Sequence, residues 1–252
     1  MLSLIKKITG KNTNDICKDL NNFNINNSII KINNNTSVQI QNSINKQNVI
    51  QIRRRDINDN DIYYWQSYGV NANILEKHGV YPIDYYWVNQ YRFKSDKLAY
   101  AYRVVINRKV YYKIYQPYSQ NHKWTNNYPK DTVSLEKYIS KTDKPIIICS
   151  SVKDALCLKC NINGLDVCAL QGEGYNIPQS FLDKYKNRKI FILFDNDKAG
   201  INYSKKLSQK TNIPYIEIPK FDEKGKDVSD LYKIKGEIIF KEVISKLFNQ
   251  KK

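Results

Sequence analysis

The chain has 252 residues, 41% of them hydrophobic, which is enough for one large domain or two small domains with buried cores. Lysine and arginine number 41 against 24 acidic residues, and the formal charge of +17 favours a polyanionic partner, with nucleic acid as the first candidate. The longest apolar runs, 146–149 and 189–194, are far too short to span a bilayer, and the N-terminus lacks the long apolar core of a signal peptide. We therefore expect a cytoplasmic protein that makes no membrane contact.

Residues 1–48 are rich in asparagine and lack a sustained apolar period, so we expect this segment to be partly flexible. The isoleucines within it leave room for a short strand or two. An AT-rich genome would produce the same asparagine bias without any functional meaning.

Residues 49–140 have the pattern of a small, basic α+β subdomain. The run 49–52 alternates apolar and polar residues and predicts a strand, which continues into the three arginines at 53–55. The runs 99–106 and 110–115 also read as strands, and the polar residues between them favour a β-hairpin.

Two helices are predicted between these strands. Asp61 is placed to cap a helix over 62–68. A second helix is predicted to open at Asn71 or Asn73, and Gly79 is placed to end it.

From residue 141 to residue 236 the pattern changes to short apolar strands that alternate with helices. Such alternation predicts an α/β domain, in which a short parallel sheet is connected by right-handed crossovers. Ligands of such sheets collect at the carboxyl ends of the strands. The predicted strands are 145–149, 165–170, 189–194 and 215–218, the predicted helices are 153–160, 178–185 and 199–209, and a further helix with a basic tail is expected over 237–252.

The cysteines do not form the pattern of a secreted disulfide framework, because Cys17, Cys149, Cys157, Cys160 and Cys168 are odd in number and mostly lie in apolar surroundings. We expect reduced, buried thiols. Cys157 and Cys160 form a C-x-x-C, but no second Cys or His pair accompanies it, so a zinc site is not expected there.

The strongest chemical signal is the sequence Phe-Asp-Asn-Asp-Lys-Ala-Gly at 194–200. A predicted buried strand ends there in Asp195 and Asp197, and a helix follows, so both carboxylates are expected at the open edge of the sheet. Two such carboxylates can hold a hard divalent cation. Asp197 could instead serve only as the N-cap of the helix. A second acidic cluster, 226–230, follows the next predicted strand, where the same edge should continue.

These segments together resemble the TOPRIM fold shared by bacterial-type and phage-type DNA primases, topoisomerases and some nucleases. The resemblance covers 144–232, and it rests on the strand, turn and helix at 146–156, on the D-x-D-x-A-G run and on the second acidic cluster. The Val-Lys-Asp-Ala and Lys-Asp-Val-Ser-Asp segments look most like phage-type replicative primases. The resemblance implies a Rossmann-like domain in which Asp195 and Asp197 bind Mg²⁺ or Mn²⁺ and Asp227 helps through the metal or its waters.

The sequence departs from the TOPRIM family pattern in three ways. Ser150 and Ser151 stand where the family's first strand ends in a glutamate followed by a glycine, so the expected catalytic acid is missing. No paired Cys or His spacing of a zinc ribbon precedes Cys149, and no G-x-x-x-x-G-K-[ST] motif of a helicase motor occurs. A separate replicative helicase and a zinc-ribbon protein are therefore the partners that the resemblance suggests.

Glu173 is the candidate for the missing acid. It follows the second predicted strand, whose end should open on the same side of a parallel sheet as Ser150 and Asp195. Gly172 and Gly174 flank Glu173 and leave the backbone free to turn towards a ligand. The alternative is that Glu173 is an exposed loop acid in a catalytically silent binding protein.

Aromatic and basic residues are interleaved in the N-terminal half, a pattern that suits single strands because bases stack on rings and cations follow the phosphates. The alternative is that Tyr63, Trp65 and Tyr102 belong to the core and the charges form a solvated face. By the resemblance, this half guides the template. The residues expected to contact nucleic acid or nucleotide are Arg53, Arg54, Arg55, Arg103, Lys113, Lys123, Lys153, Lys198 and Lys226.

The leading hypothesis is a primase-like nucleotidyltransferase core that joins nucleotides on single-stranded DNA, with Glu173, Asp195 and Asp197 as catalytic residues. The alternatives are a TOPRIM nuclease and a non-catalytic module that holds a single strand or nucleotide for a replication complex. The basic N-terminal half favours template handling, whereas Ser150 in place of the glutamate favours the binding module. The sequence leaves open whether the chain is an enzyme.

Overall fold

The computed structural model describes residues 48–249, and all of these residues fall within one compact unit. The predicted flexible segment 1–48 lies outside the described residues except for its last residue, as do Cys17 and the tail 250–252. The predicted domain limits 49–140 and 141–236 stay predictions.

An antiparallel sheet of six strands is built from the N-terminal half of the described chain. The strands are β1 (Ile50–Arg54), β2 (Val80–Val88), β3 (Tyr91–Lys94), β4 (Tyr100–Ile106), β5 (Lys109–Tyr115) and β6 (Trp124–Asn126). They pair in the order β1-β2-β4-β5-β6, and β3 pairs with the second half of β2.

The predicted hairpin is confirmed by the pairing of β4 with β5 along their whole length. Asn107 and Arg108 connect the two strands with φ angles of 50° and 64°, and two successive positive φ values match the twist of a tight hairpin. Strand β2 was not predicted from the sequence, in which Pro82 and Asp84 interrupt the apolar residues of this segment. A register shift between Arg53 and Arg54 of β1 leaves Asp84 without a partner in the ladder.

Helix α1 (Asp59–Gln66) follows β1, and Asp61 is its third residue and not its N-cap, but the Asp61 carboxylate contributes to the cap by accepting a hydrogen bond from the N–H of Asn58 at 2.9 Å. The N-cap is Asn58, whose side chain accepts a hydrogen bond from the backbone N–H of Asp61 at 3.2 Å. The carboxylate of Asp61 is fully buried and accepts hydrogen bonds from Arg55 at 2.5 and 2.8 Å and from the hydroxyl of Tyr100 at 2.9 Å. Asp61 therefore joins β1, α1 and β4.

The second predicted helix is two short 3₁₀ turns, Ala72–Ile74 and Glu76–His78. Asn71 caps the first turn by accepting a hydrogen bond from the N–H of Asn73 at 2.9 Å. Gly79 ends the second turn with φ 75°, a left-handed conformation that glycine adopts without steric cost.

A parallel sheet of three strands, ordered β8-β7-β9, is built from the C-terminal half, as the α/β pattern predicted. The strands are β7 (Ile146–Cys149), β8 (Asp166–Ala169) and β9 (Ile190–Leu193), and the helices are α2 (Val152–Asn161), α3 (Gln179–Lys184), α4 (Lys198–Thr211) and α5 (Val228–Asn249).

The fourth predicted strand, 215–218, is reduced to a single parallel bridge between Tyr215 and Ile192. The N–H of Ile216 donates to the carbonyl of Ile192 at 2.8 Å, but the preceding Pro214 has no N–H with which to extend the ladder. Helix α5 is interrupted at Gly236, where φ is 77°. No helix of residues 48–249 is long and apolar enough to cross a membrane.

The parallel sheet is buried on both faces, which explains its continuous apolar strands. Ile147 and Cys149 face a core that also includes Trp65 from the antiparallel half, whereas Ile146 and Ile148 face a second cluster beneath α3 and α4. Because the first core contains residues of both sheets, the two halves pack as one body. The cysteines of the described chain are free thiols, and all but Cys160 are buried.

Candidate functional site

The carboxyl ends of β7, β8 and β9 meet at one edge of the parallel sheet, and the loop after each strand carries a polar side chain. Ser150 follows β7, Glu173 lies in the loop after β8, and Asp195 and Asp197 follow β9. Parallel strands place their ends together, so the topology brings these loops to one place.

Asp195 and Asp197 lie on the two sides of one ammonium group, that of Lys226. Its Nζ is 2.9 Å from Asp195 Oδ2 and 3.0 Å from Asp197 Oδ2. The backbone N–H of Asn196 donates to the carbonyl of Lys226 at 2.7 Å and ties the two loops together. Burial opposes the charge of Lys226, but the two carboxylates outweigh it and raise the pKa of the ammonium group.

The other oxygens of this carboxylate pair also accept hydrogen bonds. Asp195 Oδ1 accepts from the hydroxyl of Ser150 at 3.0 Å. Asp197 is the N-cap of α4 and accepts from the N–H of Gly200 at 2.9 Å, which, with the ion pair to Lys226, lowers the pKa of its carboxyl. Asp197 thus has both roles that the sequence suggested, since it caps the helix and faces a cation.

Glu173 is directed towards the same pair of aspartates. Its Oε1 is buried and has no hydrogen-bond partner among the described residues. A Cβ at position 200 would lie 2.3 Å from the carbonyl oxygen of Asp195 and 2.8 Å from Glu173 Oε1, so only glycine fits there. Burial first, and then the charges of Asp195 and Asp197, raise the pKa of Glu173 to about 7. The geometry therefore places a third carboxyl group beside the D-x-D pair.

Asp227 is engaged with a different cation. Its carboxylate lies 3.2 Å from Lys153 Nζ and accepts from the Ser229 hydroxyl at 2.8 Å and from the N–H of Asp230 at 2.7 Å. Burial opposes ionisation, but Lys153 and these hydrogen bonds lower the pKa of Asp227. The buried Asp154 also accepts from Ser229, at 2.7 Å, and burial followed by the charge of Asp227 raises its pKa. Asp227 as a metal ligand stays a prediction.

The donor set at Asp195 and Asp197 fits a hard divalent cation in part. Carboxylate oxygens are its preferred ligands, and the pair already shares one cation, the ammonium group of Lys226. Among residues 48–249, however, no three Asp, Glu, His or Cys side chains are arranged to hold a metal ion. The structure therefore offers a site of two carboxylates, the kind that Mg²⁺ uses when waters and substrate phosphates complete its coordination.

A cleft of about 410 Å³ opens beside this edge and is closed on its other side by β5 and β6. Lys113 of β5 is buried, donates to the carbonyl of Gln171 at 2.6 Å and lies 4.3 Å from the ring centroid of Trp124. Burial lowers the pKa of Lys113 to about 8. Asn126 donates to the side chain of Gln171 at 2.8 Å. The cleft thus combines carboxylates from one half of the molecule with a cation and an aromatic ring from the other.

Residues 147–232 match the family model described as Toprim-like. This segment is a Toprim-like domain. It contains the parallel sheet, the D-x-D loop, Glu173 and the Lys226–Asp227 pair. No curated protein matches the sequence.

Solved structures of primases share the fold of about three quarters of the chain. The zinc-binding and RNA polymerase domains of the Aquifex aeolicus primase match with a TM-score of 0.53 and 14% identity over 75% of this chain and 56% of that one. The catalytic core of DnaG matches with a TM-score of 0.55 and 8% identity over 76% of this chain and 74% of that one.

A third match comes from a bacteriophage T7 structure, in which the lagging-strand DNA polymerase interacts with primase domains of two gp4 subunits bound to an RNA/DNA hybrid and dTTP. It has a TM-score of 0.51 and 15% identity over 78% of this chain and 92% of that one. The chain spans just over half the length of the Aquifex aeolicus chain. At these identities the likeness is one of fold: a Toprim-like domain within a core shaped like those of DNA primases.

The predicted contacts to nucleic acid differ in their surroundings. Lys113 and Lys226 line or border the site, and Lys153 is held by Asp227. Lys123 and Lys198 are exposed, and Arg103 is half-buried. Gln171, which follows β8 and joins the two halves, was not among the predicted site residues. The sequence signal for it is a polar residue shortly after an apolar strand.

The arginines at 53–55, two of them in β1 and Arg55 directly after it, have different surroundings. Arg53 is exposed and pairs with Asp84 at 3.0 Å. Arg54 lies 3.4 Å from the ring centroid of Tyr81. Arg55 is held by the buried carboxylate of Asp61, so its guanidinium group joins secondary-structure elements and has little freedom to follow a phosphate backbone.

Proposed function

We propose that this protein is a primase-like core that binds nucleotides and single-stranded DNA and joins nucleotides with the help of a divalent cation at Asp195 and Asp197. The observation that carries this proposal is the shared cation position between the two carboxylates, at the edge of a parallel sheet and beside a cleft lined by Lys113 and Trp124. The likeness in fold to primase cores supports it.

Each residue of the site has a separate role in this proposal. Asp195 and Asp197 would hold Mg²⁺ or Mn²⁺, which would neutralise phosphate charge and orient the reacting hydroxyl. Glu173, whose carboxyl has a pKa raised to about 7, would supply near neutral pH the acid or base that Ser150 cannot be. Lys226, exposed on one side, can turn from the carboxylates to a phosphate. Lys113 supplies a buried positive charge on the opposite wall of the cleft.

The assembly around this core is also part of the proposal. Residues 49–140 would guide the template and 141–236 would form the catalytic domain. A separate replicative helicase and a zinc-ribbon protein would supply the functions for which the sequence has no motif. The T7 structure, in which a DNA polymerase interacts with primase domains of two gp4 subunits, supports this part of the proposal.

A second candidate function is a non-catalytic module that holds nucleotide or single-stranded DNA. It is favoured by Ser150 in place of the glutamate, and by the lack of a three-acid cluster among the described residues. In this case Glu173 would have no role in turnover.

Incubation of the full chain with labelled nucleotides, single-stranded DNA and Mg²⁺ or Mn²⁺ tests these functions. Oligomer synthesis that is lost in Asp195→Asn supports the primase-like enzyme. Cleavage of the DNA would indicate a nuclease, and retention of DNA or nucleotide without reaction would indicate the binding module. Tyr63→Phe, on the exposed side of α1, is the matched control and should behave as the wild type.

A further inference from the structure

One face of the β1, β2 and β3 strands carries cations and aromatic rings in register. Side chains alternate between the two faces of a strand, and the pairing sets which residues lie side by side across the three strands. Arg53, Tyr85 and Lys94 form one row, and Gln51, Trp87 and Arg92 form the next. We propose that this surface, the β1–β3 face, binds single-stranded nucleic acid; its residues are Gln51, Arg53, Tyr85, Trp87, Arg92 and Lys94.

The opposite face of the same strands is apolar and packs inward. Ile52 and Tyr86 belong to a core cluster, and Phe93 stacks on Tyr86 with ring centroids 5.2 Å apart. The core therefore fixes which side of each strand is turned outward. The β1–β3 face is the more exposed side, and its polar side chains project from paired strands and not from loops.

Cations and rings already interact on the β1–β3 face. The guanidinium carbon of Arg53 lies 4.4 Å from the ring centroid of Tyr85, and that of Arg92 lies 5.3 Å from the same centroid. Arg53 also pairs with Asp84, but both side chains remain well exposed, at 58% and 38%. Guanidinium groups near an aromatic ring present planar surfaces on which a base can stack.

The chemistry of the β1–β3 face matches a single strand better than other polyanions. Arg53, Arg92 and Lys94 supply positive charge for phosphates in a chain whose net charge is +17. Tyr85 and Trp87 are two residues apart on one strand, about 7 Å, so two successive bases can reach them. In a duplex the bases are stacked inside, and the rings would have nothing to bind.

The β1–β3 face is separate from the proposed catalytic site, because none of its residues lines the cleft beside Asp195. The inference rests on the proposed function, because it names the surface of residues 49–140 that would hold the single strand. Binding of oligothymidylate without metal or nucleotide tests the β1–β3 face, whereas oligomer synthesis tests the proposed function, so the failure of one can be distinguished from the failure of the other.

The test is the binding of a fluorescently labelled oligothymidylate to the full chain, followed by anisotropy. Trp87→Ala should weaken binding about fivefold or more, the loss expected when one stacking ring is removed. Tyr91→Ala is the matched control, because Tyr91 is 65% exposed on the opposite face of the same sheet, and its loss should leave binding unchanged. Equal effects of the two substitutions would overturn the proposal.

Charge and ring contributions can be measured separately. Arg92→Gln should weaken binding and lower the salt dependence by about one unit of slope, more than Lys141→Gln, which removes an exposed charge elsewhere. Trp87→Phe keeps an aromatic ring and should retain binding, so it serves as a second variant if Trp87→Ala fails to fold. The quenching of tryptophan fluorescence by the oligonucleotide should be lost in Trp87→Phe. Equal affinity for a duplex, or equally strong competition by polyglutamate, would overturn single-strand recognition.

Discussion

Replacing Lys226 by methionine removes the ammonium group that lies between Asp195 and Asp197, and we expect the variant to bind Mn²⁺ more tightly in the absence of nucleotide. In the wild type an incoming cation must displace this ammonium group from contacts at 2.9 and 3.0 Å. The side chains of Lys226 and Asp197 are 50% and 36% exposed, which limits their contact to at most about 1 kcal/mol, and the exposure of Lys226 also screens its contact with the more buried Asp195. A total of about 1–2 kcal/mol corresponds to an increase in Mn²⁺ affinity of roughly 5- to 30-fold.

The assay is titration of the full chain with Mn²⁺, with free ion measured by electron paramagnetic resonance. Lys224→Met is the matched control, because it removes an exposed charge from the same loop without touching the carboxylates. A nucleoside triphosphate should strengthen Mn²⁺ binding more in the wild type than in Lys226→Met, since phosphates would draw Lys226 away. An unchanged or weaker Mn²⁺ affinity in Lys226→Met would refute the competition between ammonium and metal.

Three further predictions concern residues around the site and in the core. Glu173→Gln should silence nucleotide joining while leaving Mn²⁺ binding measurable, and turnover like that of the wild type would exclude Glu173 as the replacement acid. Asp61→Asn should lower the free energy of unfolding by about 3–5 kcal/mol in urea titrations, because it leaves Arg55 buried beside a neutral partner. Asp84→Asn, at an exposed ion pair, is the control and should lower the free energy of unfolding by at most about 1 kcal/mol. Burial lowers the pKa of Lys113 to about 8, so between pH 8 and roughly 10 the unfolded chain binds more protons than the folded chain. The contribution of Lys113 to the free energy of unfolding therefore rises with pH over that range, and the difference in unfolding free energy between Lys113→Met and the wild type should shrink. A difference that stays constant over this range would show that the reasoning is wrong.

The sequence was sufficient for the features that depend on neighbouring residues. The apolar strand before Asp195 and the glycine at position 200 place the D-x-D pair at a strand end, because strand burial and helix capping are local properties. The hairpin between β4 and β5 was predictable for the same reason, since the polar residues at its turn follow directly on alternating strands.

Residues with similar side chains and similar local surroundings could not be told apart. Tyr63 and Trp65 are two positions apart, yet Tyr63 is 78% exposed and Trp65 is fully buried. Trp65 is buried because it lies on the face of α1 that meets the sheet, and only the packing of the helix determines which face that is. The arginines 53–55 likewise form one run in the sequence but bind three different partners in the fold.

The acidic strand end is visible in the sequence alone, whereas the groups around it are known only from the fold. Lys226 lies 29 residues after Asp197 in the chain but bridges both aspartates, and Asp227, its neighbour, turns to Lys153 instead. Glu173 was expected at this edge from strand order alone, but its direction and the raised pKa of its carboxyl follow from burial against Gly200. Contacts between residues far apart in sequence depend on how the helices and strands pack. The distances between charged groups determine the pKa values of a site, and these distances cannot be obtained from a single sequence.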